Sequence, residues 1–229
     1  KPESDDRRLQ EARREPDAWD HPILCLVVDR TFSNLPLEVA VAEAVDAGVD
    51  WIQLRERELV GQDWLEWAIK ITESARQIRP EIEIIVNRRV DVALATGAAG
   101  VHLGFDALPL AETRALLGEE ALIGVSTHSA DEAMEAHRAG ADYVHLAPIH
   151  PPLSKPATRP PLGIAPIQIA TSAGLSVFAQ GGIGPGQVPA LVTAGIAGIA
   201  VTGSLLQSDD PHAQAVALCR ALRTDPDQH

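Results

Sequence analysis

Several polar clusters follow short apolar runs, and their residue types suit the binding of anions. In Gln53-Leu54-Arg55-Glu56-Arg57, side chains alternate across an extended backbone, so Gln53, Arg55 and Arg57 share one face. Neighbouring guanidiniums repel unless an anion or a carboxylate sits between them, and the planar, always charged fork suits bidentate contact with phosphate or carboxylate. The alternative is that both arginines pair with Glu56 and Glu58 on the surface. Asn87-Arg88-Arg89 adds an amide and two cations, and Lys155, one of three lysines, lies in a stretch stiffened by Pro148, Pro151, Pro152 and Pro156. Gln180-Gly181-Gly182 and Thr202-Gly203-Ser204 have glycines that let backbone amides approach a phosphate, helped by the start of a following helix; tight turns alone would also explain them. Ser126 and His128 alternate and can face one cavity together, and histidine is the side chain best suited to proton transfer near neutral pH. His102 reads as a packed residue and His145 as a residue of an enclosed lumen. Spacing gives no metal site; Asp29 and Asp106, one carboxylate on each of two separate loops, are the candidates.

Positioning these clusters requires the elements between them. Eight short β-rich runs, at 23–29, 51–54, 83–86, 100–103, 122–126, 142–148, 176–181 and 198–202, alternate with Ala/Leu/Glu-rich stretches of helical period. Strict alternation implies a parallel sheet. Eight units predict a closed (β/α)8 TIM barrel, an α/β fold, whereas an open doubly wound sheet would have a glycine fingerprint where Val28-Asp29-Arg30-Thr31 stands. The polar clusters then fall at the C-terminal strand ends, where such barrels bind their ligands. We divide the chain into a charged N-terminal extension, residues 1–21, in which Ser4-Asp5-Asp6 can cap a short helix, and one barrel over residues 22–229.

Composition narrows the classes of function. A formal net charge of −13 and the lack of a basic stripe argue against nucleic acid as a partner. No apolar run reaches the roughly 18 residues a membrane span needs, and the expectation is a cytoplasmic protein away from membranes. Cys25 and Cys219 form neither a metal spacing nor a disulfide framework.

The ordered blocks IQLRERE (52–58), IVNRRVDVAL (85–94), GVHLG (100–104), IGVSTHS (123–129), GADYVHLAPI (140–149), SK (154–155), PLGI (161–164), QGGI (180–183) and GIAVTGSL (198–205) resemble the thiamin phosphate synthase and TenI family over nearly all of residues 23–206. The resemblance implies a barrel of thiamin biosynthesis. In the family's synthases, Mg²⁺ assists departure of diphosphate as hydroxymethylpyrimidine diphosphate joins thiazole phosphate. It implies that Gln53, Arg55, Arg57, Asn87 and Lys155 hold the pyrimidine diphosphate, and that Gly182, Gly203 and Ser204 hold the thiazole phosphate. Where the synthase pattern has metal-binding carboxylates, this chain has Arg88 and Ala107, with Asp106 beside the latter. Arg57 replaces a lysine, and Pro152-Leu153-Ser154 replaces a Thr-rich run.

The TenI-type members, similar to this chain in the Arg-Glu-Arg motif, are thiazole tautomerases that move a proton without metal. His128 falls at the matching catalytic position. The first expectation is therefore a tautomerase-like isomerase, with no cofactor, acting on a thiazole carboxylate phosphate. The alternatives are a Mg²⁺-dependent synthase, a transferase using both phosphorylated substrates, and a non-catalytic phosphate-ligand binder. Self-association into a homo-oligomer is left open.

Overall fold

The computed structural model describes residues 19–151 and 159–223. The Ser4-Asp5-Asp6 cap and Lys155 lie outside them. Eight strands, β1 (Ile23–Val28), β2 (Trp51–Leu54), β3 (Glu83–Asn87), β4 (Gly100–Leu103), β5 (Leu122–Thr127), β6 (Tyr143–Leu146), β7 (Val177–Gln180) and β8 (Gly198–Val201), pair in sequence order, all parallel. The barrel closes where Ile23 of β1 registers with Gly198 of β8. Around it run α1 (Leu37–Asp46), α2 (Gly61–Ile78), α3 (Val90–Thr96), α4 (Leu110–Leu117), α5 (Ala130–Arg138), α6 (Ala165–Ser172), α7 (Val188–Thr193), the short α8 (Gly203–Leu206) and α9 (Pro211–Arg223). Among the described residues no helix is long and apolar enough to cross a membrane.

The strands read as continuous apolar runs because both of their faces are buried. Outward residues such as Leu24, Leu26, Ile52 and Ile84 pack under the helices, where α2 contributes Trp64, Ala68, Ile71 and Ala75 at helical spacing. Inward residues form a separate plug of Trp51, Tyr143, Phe178, Ile85 and Leu122. Gly124 admits that plug: a methyl group added there would lie 2.1 Å from the Tyr143 ring. Trp19, from the end of the segment read as an extension, packs edge-on at 5.4 Å from Trp51 and 5.7 Å from Phe178, so this residue belongs to the plug's packing.

Two aspartates repeat one device at the N-terminal strand ends. Asp50 accepts the Leu24 amide at 2.9 Å and an Arg223 bond at 2.9 Å; Asp142 accepts the Ile123 amide at 2.7 Å and an Arg114 bond at 2.7 Å. Each sits in an Ala-Gly-x-Asp turn that leads into the next strand, which ties neighbouring strands at the edge away from the site.

Above the aromatic plug, His102 and His145 lie with ring centroids 4.0 Å apart. Both are buried, and His102 Nδ1 and His145 Nε2 have no hydrogen-bond partner among the described residues. Burial pushes the pKa of His102 well below its ordinary value, aided by its neighbour, and brings His145 down to about 3. Below the ordinary histidine pKa of 6.5 the unfolded chain takes up these protons while the folded chain refuses them. Stability therefore falls as pH drops from there towards 3, by up to about 1.4 kcal/mol per pH unit for each ring. Urea unfolding at several pH values should show wild type losing about 2 kcal/mol relative to His145→Phe as the solution is made acid. A gap independent of pH would exclude a neutral His145.

Candidate active site

A cavity of about 510 Å³ opens at the C-terminal ends of the strands. The glutamates near Arg55 and Arg57 are already engaged by another residue. Arg30 donates to Glu56 at 2.8 Å and to Glu58 at 3.1 Å. Glu56, its side chain 2 % exposed, also accepts the backbone amides of Arg57 and Glu58, both at 2.6 Å. This folds the loop after β2 so that Arg55 and Arg57 line the cavity, and the surface pairing considered for them is taken by Arg30. Arg55 instead pairs with Asp29, which also accepts the Thr31 amide and hydroxyl at 3.1 and 2.7 Å. Burial lowers the Arg55 pKa, as does the repulsion of Arg57 and Arg88, against the pull of Asp29. A guanidinium keeps its proton through such shifts, so the cluster gains from any anion that enters.

The turn after β3 separates its two cations. Arg88 lines the cavity and pairs with Asp106, whereas Arg89 turns outward to bond Asp91 at 2.8 Å, over the Trp64 ring at 6.0 Å. The expectation of two site cations there is thus corrected to one. Arg88 is the one described non-glycine residue with positive φ, 69°, a conformation that costs a side-chain-bearing residue about 1–3 kcal/mol. Its amide donates to the His102 carbonyl at 2.9 Å, which fixes the turn.

Asn87 also lines the cavity, but Gln53 does not; it is buried below, donating to Asn87 at 3.3 Å. Alternation put Gln53 on the correct face and left its depth unread. Ser126 and His128 both reach the cavity. Ser126 Oγ lies 2.8 Å from Nε2 of the buried His102, so a ring read as packing supports a cavity hydroxyl. His128 Nδ1 lies 2.7 Å from the Ala147 carbonyl. A carbonyl only accepts, so Nδ1 carries the proton and Nε2 of the neutral ring keeps its lone pair. The Ser129 hydroxyl accepts the Glu132 amide at 3.1 Å while Glu132 accepts the His128 amide at 2.7 Å, holding the histidine just ahead of α5.

Gly182, Gly203 and Ser204 line the cavity at the ends of β7 and β8, with Gln180 and Thr202. Gly182 has φ 64°, and a Cβ there would lie 2.2 Å from the Pro151 carbonyl, so chain packing alone requires glycine. Gly203 and Ser204 open α8, and the first amides of a helix lack intrahelical acceptors. A helix of four residues adds little dipole, so the support expected from a following helix reduces to those amides. Arg159 and Phe105, unread in the sequence, complete the rim. Arg159 followed a proline-rich loop, and Phe105 a strand-end glycine; each position pointed to the mouth.

A profile of the family described as thiamine monophosphate synthase matches residues 24–205. The chain belongs to that family. A thiamine-phosphate synthase of Chlorobium phaeovibrioides is 38% identical over 88% of this chain and 94% of its own length. A thiamine biosynthesis bifunctional protein ThiM/ThiE of Symbiobacterium thermophilum is 42% identical over 80% of this chain; the match spans 38% of that longer protein. A solved thiamine phosphate pyrophosphorylase of Pyrococcus furiosus superposes with a TM-score of 0.74 at 28% identity, covering 87% of this chain and 95% of its own. The barrel is thus the fold of the thiamine monophosphate synthase family.

The Mg²⁺ implied for synthases of this family can be tested against the residues present. It favours octahedral oxygen ligands, commonly one or two carboxylates. Here both mouth carboxylates are matched by arginine, Asp29 by Arg55 and Asp106 by Arg88. Among the described residues no group of three or more His, Cys, Asp or Glu side chains could hold a metal ion. These residues do not fit a resident divalent ion.

Proposed function

We propose that the chain is a thiamin phosphate synthase, a transferase that joins hydroxymethylpyrimidine diphosphate to thiazole phosphate and releases diphosphate. One observation carries this reading: a single cavity presents arginines at β2 and β3 and glycines at β7 and β8, which we read as two anion-binding ends for two phosphorylated substrates. The names of the relatives favour it over the tautomerase expected from the sequence. The thiazole nitrogen attacks the pyrimidine methylene carbon, the C–O bond breaks, and its electron pair leaves on the diphosphate oxygen. Arg55 and Arg57 bind that oxygen's developing charge, which counts for more where protein walls exclude water. Amides of Gly182, Gly203 and Ser204 orient the thiazole phosphate. Asn87 and Ser126 offer hydrogen bonds to the pyrimidine ring between the two ends.

The test is purified protein with both substrates, followed for thiamin phosphate. No product at high enzyme concentration would overturn the reading.

A second reading, the tautomerase, is favoured by the His128 tautomer, which presents a base without needing an anion leaving group. His128→Ala separates the two. We expect a loss of about 10-fold in thiamin phosphate synthesis if the ring only orients substrate, and of about 10²–10⁴-fold in aromatisation of the thiazole carboxylate tautomer if it moves the proton. Thermal stabilisation by either substrate with no turnover would instead indicate a binder.

A further inference from the structure

The two ion pairs at the mouth differ in a way that bears on the leaving group. The Asp29 side chain is 9% exposed and its Arg55 partner 23%, whereas Asp106 is 60% exposed and Arg88 37%. Asp29 is further held by Thr31, so separating it from Arg55 would cost more than separating Asp106 from Arg88. Asp106 can turn to water at little cost, which leaves the Arg88 fork free to take another anion. The backbone at Arg88 would suit glycine, yet it bears a long cation that lines the cavity.

Arg55, Arg57, Arg88 and Arg159 line the cavity with the carboxylates Asp29 and Asp106, an excess of two positive charges. Displacing Asp106 from Arg88 raises the charge available to a ligand further, and the guanidinium plane matches two phosphate oxygens at once. We propose that Arg88, parked on Asp106 in the free protein, is the built-in cation for the leaving diphosphate, so that this site takes diphosphate without a divalent metal.

The inference deepens the synthase reading and rests on it for turnover, but not for binding. During the reaction the electron pair of the breaking C–O bond ends on a diphosphate oxygen, and Arg88 exchanges one carboxylate for that oxygen. No other reactant is needed.

The experiment is calorimetric titration of the full chain with inorganic diphosphate in EDTA, with the same protein in Mg²⁺ beside it. Wild type is expected to bind equally well in both. Arg88→Gly, which removes the guanidinium and suits the local backbone, should weaken binding at least about 10-fold, and Arg88→Lys should recover part of it. Asp106→Ala, freed of the competing carboxylate, should bind as tightly as wild type or more tightly. Binding that requires Mg²⁺, or that Arg88→Gly leaves unchanged in a folded protein, would overturn the proposal. Metal-free diphosphate binding lost in Arg88→Gly, without thiamin phosphate synthesis by wild type, would support the Arg88 site and sink the synthase reading alone.

Discussion

Alanine in place of Arg55 is expected to cut kcat/KM for thiamin phosphate synthesis by about 10²–10³-fold, the usual loss when a group aligned with developing charge is removed. Arg55 is the most enclosed cation of the mouth, and its partner Asp29 is buried. Removing the arginine therefore takes away a positive charge and leaves a negative one where diphosphate would depart. The stability effect follows from the same pair. An orphaned buried charge costs about 3–5 kcal/mol, but Asp29 keeps two bonds from Thr31, and the pair has partial access to water, so about 2 kcal/mol is the expected loss. Steady-state kinetics and urea unfolding read the two effects separately. Adding Asp29→Asn to the Arg55 variant should recover stability without recovering activity. An Arg55→Ala protein within a few-fold of wild type in kcat/KM would remove the arginine from the chemistry.

The second large effect concerns the barrel itself. Gly100 faces Leu122 in the β4–β5 ladder, and a Cβ at Gly100 would lie 1.8 Å from the Leu122 carbonyl oxygen. That neighbour is backbone held in a closed sheet, so it cannot rotate aside as a side chain would. Gly100→Ala must spread β4 from β5 in a ring where every strand is fixed on both sides. We expect a loss of about 3 kcal/mol or more, at the upper end of overpacking penalties, measured by denaturant unfolding. Gly186→Ala is the control, since a methyl there meets nothing within 4 Å and φ is not positive. Equal stabilities for the two variants would show that the barrel yields at β4.

The barrel was legible because strands buried on both faces give apolar runs of the same type, separated by helices of a different period. Their ends were less so. The runs ending in Asp29, Pro148 and Gly181 each overran the strand: the Asp29 carbonyl already accepts the Phe32 amide in a turn, Pro148 has no amide to donate, and Gly181 has φ 96°. In the site, alternation placed Arg55, Arg57, Ser126 and His128 at one cavity, and the end of the third run placed Asn87 there. Partner choice was beyond it. Arg30 reaches Glu56 across 26 residues, and Arg55 reaches Asp29 across the same separation, contacts that only strand order creates. For the same reason Arg88 and Arg89, adjacent and alike in sequence, part ways: a left-handed residue turns one into the cavity and leaves the other against α2.

The mouth is cationic, but the chain as a whole has a formal charge of −13. An approaching diphosphate is therefore repelled at long range and attracted only once it is close to the mouth. At physiological ionic strength the Debye length of about 8 Å hides most of the body while leaving the enclosed arginines effective. Modest salt should thus speed capture by screening the repulsion before higher salt slows it by weakening the attraction. An association rate with a maximum in ionic strength would mark a small positive lens set in a negative surface.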